Sequence, residues 1–141
     1  EALKGSSSIR IVSRDTIRAE MGMCGYGEKC IGTPRQENKV TKLMKEKIQD
    51  YASNGLSFII DNTSLKKKYR KEYFDYVKKY DIVPIYVYVE APSLEENFRR
   101  RDGEIDSSTI QRMWDGFEFP NRSECYEMWI IDQRAGKVYR L

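Results

Sequence analysis

The segment LSFIIDNTS, residues 56–64, is an apolar run that leads directly into polar residues. Such a run is typical of a buried strand of a parallel sheet that ends in a polar loop. Before it, residues 36–53 place apolar side chains at helical spacing, and Asn54-Gly55 has the residue types that end a helix. After it, residues 66–80 repeat helical spacing and residues 82–89 form a β-branched, tyrosine-rich run. The centre of the chain is therefore predicted to be helix, strand, helix, strand.

The flanking segments continue this alternation. Before the centre, the predicted elements are a helix end closed by Gly5, a short strand at residues 9–12, one or two helical turns at 16–21 and a loop at 22–34. After the centre, they are a capped helix from residue 92 toward 101, a helix capped by Ser107 or Ser108 and running to Phe117, a strand at 128–131, and a hairpin turn at 134–137. Strands that alternate with helices predict right-handed crossovers and a parallel sheet with helices on both faces. We therefore predict a three-layer α/β fold in a single domain over residues 1–141.

The composition excludes several kinds of function. The chain has no histidine, so neither a Ser-His-Asp nor a Cys-His catalytic group can form, and Asp, Glu, Arg and Lys must carry any chemistry. The three cysteines are too few for a disulfide framework or, without histidine, a zinc site, which predicts reduced thiols in a cytoplasmic protein. No apolar run is long enough to span a bilayer, so no membrane partner is predicted. The net charge of +3 hardly argues for nucleic acid.

A carboxylate and a guanidinium follow the first predicted strand. Asp15 lies in the sequence Ser13-Arg14-Asp15, and Arg18 lies about one helical turn beyond it. A carboxylate there can orient an acceptor hydroxyl and take its proton, and the planar donors of an arginine fit a phosphate. From these residues alone, a helix-capping Asp beside a solvated Arg is the favoured explanation.

Asp61 ends the central predicted strand. An apolar strand tipped by a carboxylate is the Walker B arrangement, which holds a metal-bound water near a nucleotide phosphate. Any α/β domain can also end a strand in Asp in order to cap a helix. Because ligands bind beyond the carboxyl ends of parallel strands, Asp15 and Asp61 are expected to share one edge of the sheet.

Three consecutive arginines, Arg99, Arg100 and Arg101, precede a polar turn and a further stretch of helical spacing. Clustered guanidiniums on a hinged segment suit charge stabilisation on a transferring phosphoryl group. A solvated basic helix end, favoured by the helix dipole, explains the same residues equally well.

Four motifs occur in order along the chain. They are SRDTIR at residues 13–18, IIDNTSL at 59–65, the arginines at 99–101, and IQRM at 110–113 with FEFP at 117–120. In this order and spacing they resemble the P-loop kinase family that contains phage and bacterial polynucleotide 5′-hydroxyl kinases, over nearly the whole chain. The resemblance implies a P-loop kinase-like fold, with ATP and Mg²⁺, and transfer of the γ-phosphoryl group of ATP to an acceptor hydroxyl.

The resemblance also implies an acceptor site. Asp15 is similar to the general base of the family, and Arg18 is similar to its contact with the acceptor phosphate. Arg14, Asn62 and Thr63 are expected to help shape this site.

On the nucleotide side, the resemblance places Asp61 near the magnesium ion and the phosphates. Arg100 and Arg101 are expected on a lid, residues 99–117, that closes over the nucleotide. The triplet itself does not tell which of its arginines faces the nucleotide.

The chain departs from the family pattern at its start. Family members begin with a central strand and a Gly-x-x-x-x-Gly-Lys-Ser/Thr loop, whereas residues 1–5 resemble the end of the helix that follows that loop. Residues 25–30 contain glycines and a lysine but lack the Gly-Lys-Ser/Thr order. Without the central strand, apolar sheet edges are expected to be unpaired. Either the chain is part of a longer protein or another segment supplies the strand, and this chain by itself is expected to be inactive.

We therefore predict the core of an ATP-dependent polynucleotide 5′-hydroxyl kinase, whose partners are a nucleotide and the 5′ end of DNA or RNA. A small-molecule kinase on the same fold is the first alternative; a basic groove at the Asp15 edge would favour the polynucleotide, and a closed pocket the small molecule. The second alternative is a non-catalytic protein that binds nucleotide or nucleic acid without turnover.

Overall fold

The computed structural model describes residues 9–25, 30 and 32–141 of the chain. Its contacts divide the chain into two compact units. The first unit comprises Glu1–Thr63 and Tyr73–Ile82, and the second comprises Ser64–Glu72 and Val83–Leu141. The helix end predicted at residues 1–5 lies outside the described residues. The single domain over residues 1–141 and the lid at 99–117 stay predictions.

The first unit contains a two-stranded parallel sheet. Strand β1, Arg10–Val12, pairs with strand β2, Phe58–Ile60, with Val12 opposite Ile60. The parallel pairing predicted for this part of the chain is confirmed. Both strands end at the same edge, and the amide of Asp61 donates to the carbonyl of Val12 at 2.9 Å, which extends the pairing past the end of β2.

Three helices belong wholly or partly to this unit: α1 (Arg14–Glu20), α2 (Pro34–Ser53) and α3 (Lys67–Val77), whose last residues lie in the first unit. Helix α2 begins two residues earlier than predicted. Thr33 and Gln36 form a capping box, and Pro34 occupies a position where its missing N–H costs nothing. At the other end Gly55, with φ of 66°, takes the left-handed conformation that the predicted helix end requires.

The core of the first unit anchors the segment between β1 and α1. Its buried side chains are Val12, Ile17, Val40, Met44, Ile48, Ala52 and Val77. The four members from α2 recur every four residues, so they form a single stripe along that helix. Because Val12 and Ile17 are both almost completely buried, the residues between them are held in place from both sides.

The second unit contains a three-stranded sheet. Its elements are strand β3 (Ile85–Glu90), helix α4 (Leu94–Arg100), helix α5 (Ser107–Asp115), a 3-10 turn (Arg122–Glu124), strand β4 (Glu127–Asp132) and strand β5 (Lys137–Arg140). Strands β3 and β4 are parallel, and β5 returns antiparallel to β4. The predicted hairpin at the end of the chain is confirmed.

The two predicted helix caps in this unit have different outcomes. The capped helix start predicted from residue 92 is confirmed: Ser93 caps α4 and accepts a hydrogen bond from the amide of Glu96. The prediction that Ser107 or Ser108 caps α5 is wrong. Asp106 caps that helix instead, because its carboxylate accepts a hydrogen bond from the amide of Thr109.

The chain is a mixed α/β protein with parallel and antiparallel strand pairs. Its described strands form two sheets rather than the one parallel sheet that we predicted. The strands carry exposed apolar side chains, among them Ile11, Ile59, Ile85, Val87 and Val89. No described helix combines the length and apolar character that crossing a bilayer requires.

Candidate functional site

Helix α1 presents Asp15 at the carboxyl end of β1. Ser13, and not Asp15, caps the helix: its hydroxyl accepts a hydrogen bond from the amide of Thr16. The side chain of Asp15 is 93% exposed and contacts Nη1 of Arg18 at 2.7 Å. Helix capping therefore does not explain Asp15, which leaves its carboxylate open for other contacts.

Glu37, at the start of α2, joins the two arginines of α1. Arg18 forms a bidentate pair with it, from Nε to Oε1 and from Nη2 to Oε2, both at 2.9 Å. Arg14 donates to Oε2 of Glu37 at 2.7 Å and to the hydroxyl of Thr41 at 3.0 Å. The side chains of Arg18 and Glu37 are only 16% and 26% exposed. The result is a four-residue cluster in which two guanidiniums face two carboxylates.

The charge state of Glu37 is set by this cluster. The hydrogen bonds from Arg18, helped by those from Arg14, lower the pKa of Glu37 from its ordinary 4.5 to about 2, against the opposing effect of burial. The amide of Gly32 also donates to Glu37, at 3.2 Å. A Cβ at Gly32 would lie 2.5 Å from the end of the Met23 side chain and 2.9 Å from Oε1 of Glu37, so a larger residue here would require these two side chains to shift.

Sequence reasoning missed Glu37. An acidic residue in the first turn of a helix is ordinarily explained by the helix dipole, and nothing in the spacing links position 37 to positions 14 and 18. The one usable signal is that Arg14 and Arg18 lie one turn apart and need a shared counter-charge if they are not fully solvated.

The cluster predicts a specific acid sensitivity. Since the folded-state pKa of Glu37 lies below its ordinary value, its ionised form stabilises the fold above about pH 4.5, and this contribution is lost as the pH falls toward 2. Glu37→Gln should therefore lower the free energy of unfolding at about pH 7 and lose this part of its pH dependence. Urea unfolding at about pH 7 and pH 3 measures both. Glu46→Gln, on the exposed face of the same helix, is the control; an equal effect of the two variants would contradict the cluster's role.

The residues after β2 meet α1 at the same edge. The Oδ1 atom of Asn62 accepts a hydrogen bond from the amide of Arg14 at 3.0 Å, and its Nδ2 donates to the hydroxyl of Tyr73 at 3.3 Å. Asp61 and Thr63 flank it, and both are exposed. Since α3 begins only at Lys67, Asp61 does not cap that helix. Asp15 and Asp61 thus follow neighbouring strands at one sheet edge, as predicted.

The free donors and acceptors of this edge define what it can bind. An arginine has five N–H donors, and the described contacts of Arg18 use three of them, which leaves two for a ligand. Oδ1 of Asp15 receives Arg18, while Oδ2 has no hydrogen-bond partner among the described residues. Two guanidiniums against two carboxylates carry no net charge, so directed N–H donors, more than net charge, would select an anionic ligand. A ligand that carries both a hydroxyl and a phosphate would match these donors and acceptors.

The predicted nucleotide-binding arginines belong to the second unit. Arg99 and Arg100 both donate to Glu96, and their hydrogen bonds lower its pKa to about 2. Arg100 also donates to Oε1 of Gln133, just beyond the carboxyl end of β4, at 2.8 Å. Arg101 pairs with Glu104 instead. Of the triplet, only Arg100 has a described contact with the carboxyl end of that sheet.

A magnesium ion fits Asp61 only together with a nucleotide. Among the described residues, no group of three or more Asp, Glu, Cys or His side chains lies close enough to hold a metal ion. Mg²⁺ in phosphate-transfer sites is commonly held by one or two carboxylates, with substrate phosphates and water completing its shell. The exposed carboxylate of Asp61 matches that lesser requirement.

Comparison with known proteins gives one result that covers most of the chain. Residues 2–120 match the family model described as an AAA domain. Comparison with curated proteins gives no match. The chain therefore belongs to the AAA domain family, a nucleotide-binding, P-loop kinase-like family whose members include polynucleotide-kinase-like proteins.

Proposed function

We propose that the chain forms the acceptor-binding and lid-bearing part of an ATP-dependent polynucleotide 5′-hydroxyl kinase. The observation that carries the proposal is the exposed carboxylate of Asp15 beside the guanidiniums of Arg14 and Arg18, which are both paired with Glu37. Family membership supplies the expectation of a phosphoryl donor. The 93% exposure of the Asp15 side chain supports a polymer end as acceptor, because a small molecule is ordinarily enclosed in a pocket. The balanced charges of the cluster do not by themselves form the basic groove that we expected of a polynucleotide site.

In the proposed reaction, the acceptor hydroxyl donates a hydrogen bond to Oδ2 of Asp15. As the hydroxyl oxygen forms its bond to the γ-phosphorus of ATP, its proton passes to the Asp15 carboxylate. The bond between the γ-phosphorus and the bridging oxygen breaks, and its electron pair leaves on ADP. Arg18 holds the neighbouring acceptor phosphate with its two remaining N–H groups, while Glu37 keeps the guanidinium in place.

Two residues, each in its own unit, are proposed for the nucleotide: Asp61 in the first unit and Arg100 in the second. Asp61 would hold Mg²⁺, which when bound would neutralise charge on the phosphates. The hydrogen bond from Arg100 to Gln133 places its guanidinium at the carboxyl end of β4. There Arg100 can exchange its hydrogen bond to Glu96 for one to a phosphate. Arg101, engaged with Glu104, is the weaker candidate for this contact.

The arginine assignment predicts unequal effects within the triplet. Arg100→Ala should lower kcat/KM for ATP roughly tenfold to hundredfold, because a positioned cation on the phosphates is lost. Arg99→Ala removes only an exposed pair with Glu96 and should change it less than about twofold. Steady-state kinetics with varied ATP measures both variants. Equal effects of the two substitutions would refute the choice of Arg100.

A panel of acceptors tests the proposed function. The natural-length protein is incubated with ATP and, separately, with 5′-hydroxyl DNA and RNA oligonucleotides, nucleosides and 3′-nucleotides, and kcat/KM is compared. The proposal predicts that oligonucleotides and 3′-nucleotides exceed nucleosides by at least about tenfold, since nucleosides have no phosphate for Arg18 to bind. Preference for a nucleoside would indicate a small-molecule kinase. Tight binding of ATP and oligonucleotide without product would indicate a binding protein.

A further inference from the structure

The first turn of α1, which carries Asp15, is tied to the core by a chain of side-chain hydrogen bonds. Arg14 is the first residue of α1, so its amide is one of those that a helix leaves without an internal partner. It donates to Oδ1 of Asn62 at 3.0 Å. Asn62 in turn lies two residues beyond the end of β2, so this bond fixes α1 against the sheet.

The side-chain amide of Asn62 is oriented by the hydrogen bonds that its Nδ2 donates. Its Nδ2 donates to the hydroxyl oxygen of Tyr73 at 3.3 Å and to the sulfur of Met44 at 3.6 Å. Tyr73 packs against the core that contains Met44. With Nδ2 held on that side, Oδ1 must face the amide of Arg14. An Asp at position 62 could accept from Arg14 but could not donate to Tyr73.

We propose that Asn62 and Tyr73 form a positioning relay that sets the orientation of α1, and with it the carboxylate of Asp15 and the guanidinium of Arg18. The proposal rests on the proposed function and reassigns Asn62, which we predicted to touch the acceptor, to a role that acts through Arg14. Thr63, exposed beside it, remains the residue of this loop that is open to direct contact. Tyr73 is a positioning residue with no contact to substrate.

Helix α1 needs outside contacts to fix its orientation because it has only seven residues. A helix this short has little stability of its own and takes its orientation from its contacts. On one side Ile17 is buried in the core, and at its start Ser13 caps it. The side-chain bonds of Arg14 and Arg18 to Glu37 also tie α1 to α2, and the bond from the Arg14 amide to Asn62 holds the backbone of the first turn directly at the sheet edge. A small rotation there moves Asp15, and reaction rates respond steeply to misplacement of a catalytic group.

A double-mutant cycle tests the relay. Tyr73→Phe removes only the hydroxyl and should lower kcat about twofold to tenfold, the effect of one neutral hydrogen bond. Asn62→Ala should lower kcat further. If Tyr73 acts through Asn62, the double variant should equal Asn62→Ala alone. The KM for ATP should stay constant throughout, because the nucleotide contacts lie on other residues. Tyr51→Phe, at the edge of the same core, is the control and should leave kcat unchanged.

Additive effects, or wild-type kcat in Tyr73→Phe, would overturn the relay. A fall in kcat that follows the melting temperature in all variants, including Tyr51→Phe, would also overturn it, because that pattern indicates general loss of stability.

Amide exchange measured by NMR separates this inference from the proposed function. Exchange of the Arg14 amide should accelerate in Tyr73→Phe by about the same factor as kcat falls, and more in Asn62→Ala. The amide of Ile17, bonded to the carbonyl of Ser13, should be unaffected. If the wild-type protein transfers no phosphoryl group, the proposed function fails and this measurement alone decides the relay. Unchanged exchange at Arg14 would refute it.

Discussion

Replacing Asp15 by Asn is expected to lower the rate of phosphoryl transfer about a thousandfold, within the usual range for loss of a general base. The amide is nearly the same size but cannot take the hydroxyl proton. Affinity for ATP should stay nearly constant, because the proposed nucleotide contacts lie on other residues. The fold should also persist, since the ion pair that is lost, with Arg18, involves a side chain that is 93% exposed.

Single-turnover kinetics at saturating ATP measures the rate, and equilibrium titration measures nucleotide affinity. Asp81→Asn, at another exposed aspartate, is the matched control. Equal loss of ATP affinity and of rate in Asp15→Asn would contradict its role as base.

Replacing Arg70 by Met is expected to lower the free energy of unfolding by about 3–5 kcal/mol. Arg70 and Glu124, only 6% and 8% exposed, form a pair with Nε to Oε1 at 3.0 Å and Nη2 to Oε2 at 3.3 Å. Burial by itself would raise the pKa of Glu124, yet the bonds from Arg70 and from the amide of Asn121 bring it below its ordinary value. Without Arg70, the carboxylate is left buried and unpaired.

The same arginine holds the loop that follows Asp61. Its Nη1 donates to the carbonyls of Ser64, at 3.0 Å, and Leu65, at 3.4 Å. Ser64 has φ of 43°, a left-handed conformation that a non-glycine residue adopts at a cost, and these bonds support it. Loss of Arg70 therefore removes support from the loop as well as charge balance.

Urea unfolding of Arg70→Met, Glu124→Met and the double variant measures this coupling. The double variant should recover much of the stability that either single variant loses, because no unpaired buried charge remains. Arg99→Met, which breaks an exposed pair, is the control. A free energy of unfolding of Arg70→Met within about 1 kcal/mol of wild type would contradict the account of a buried pair. Strictly additive losses of this free energy in the double variant would contradict it as well.

The helices and strands were largely predictable because their signals are local. The stripe of α2 and the apolar run at β2 each follow from spacing within one segment. Errors arise where competing local groups are equivalent in sequence. Asp106, Ser107 and Ser108 can all cap a helix, and only the backbone geometry selects the aspartate.

The arrangement of the candidate site was predictable in part. Asp15 and Asp61 follow parallel strands, so their common edge follows from topology alone. Glu37 could not be found in this way, since its partners lie on another helix and no sequence rule links them. The described strands also divide into two sheets, a result of long-range pairing that local patterns do not determine.

The transfer reaction itself is the decisive observation. The natural-length protein is incubated with Mg²⁺, ATP labelled in its γ-phosphoryl group, and an oligonucleotide that has a 5′-hydroxyl and a blocked 3′ end. We predict that label appears as a 5′-phosphomonoester in the wild type and is reduced about a thousandfold in Asp15→Asn. Label that stays in ATP or is released only as inorganic phosphate, while ATP and oligonucleotide both bind, would contradict the proposed kinase.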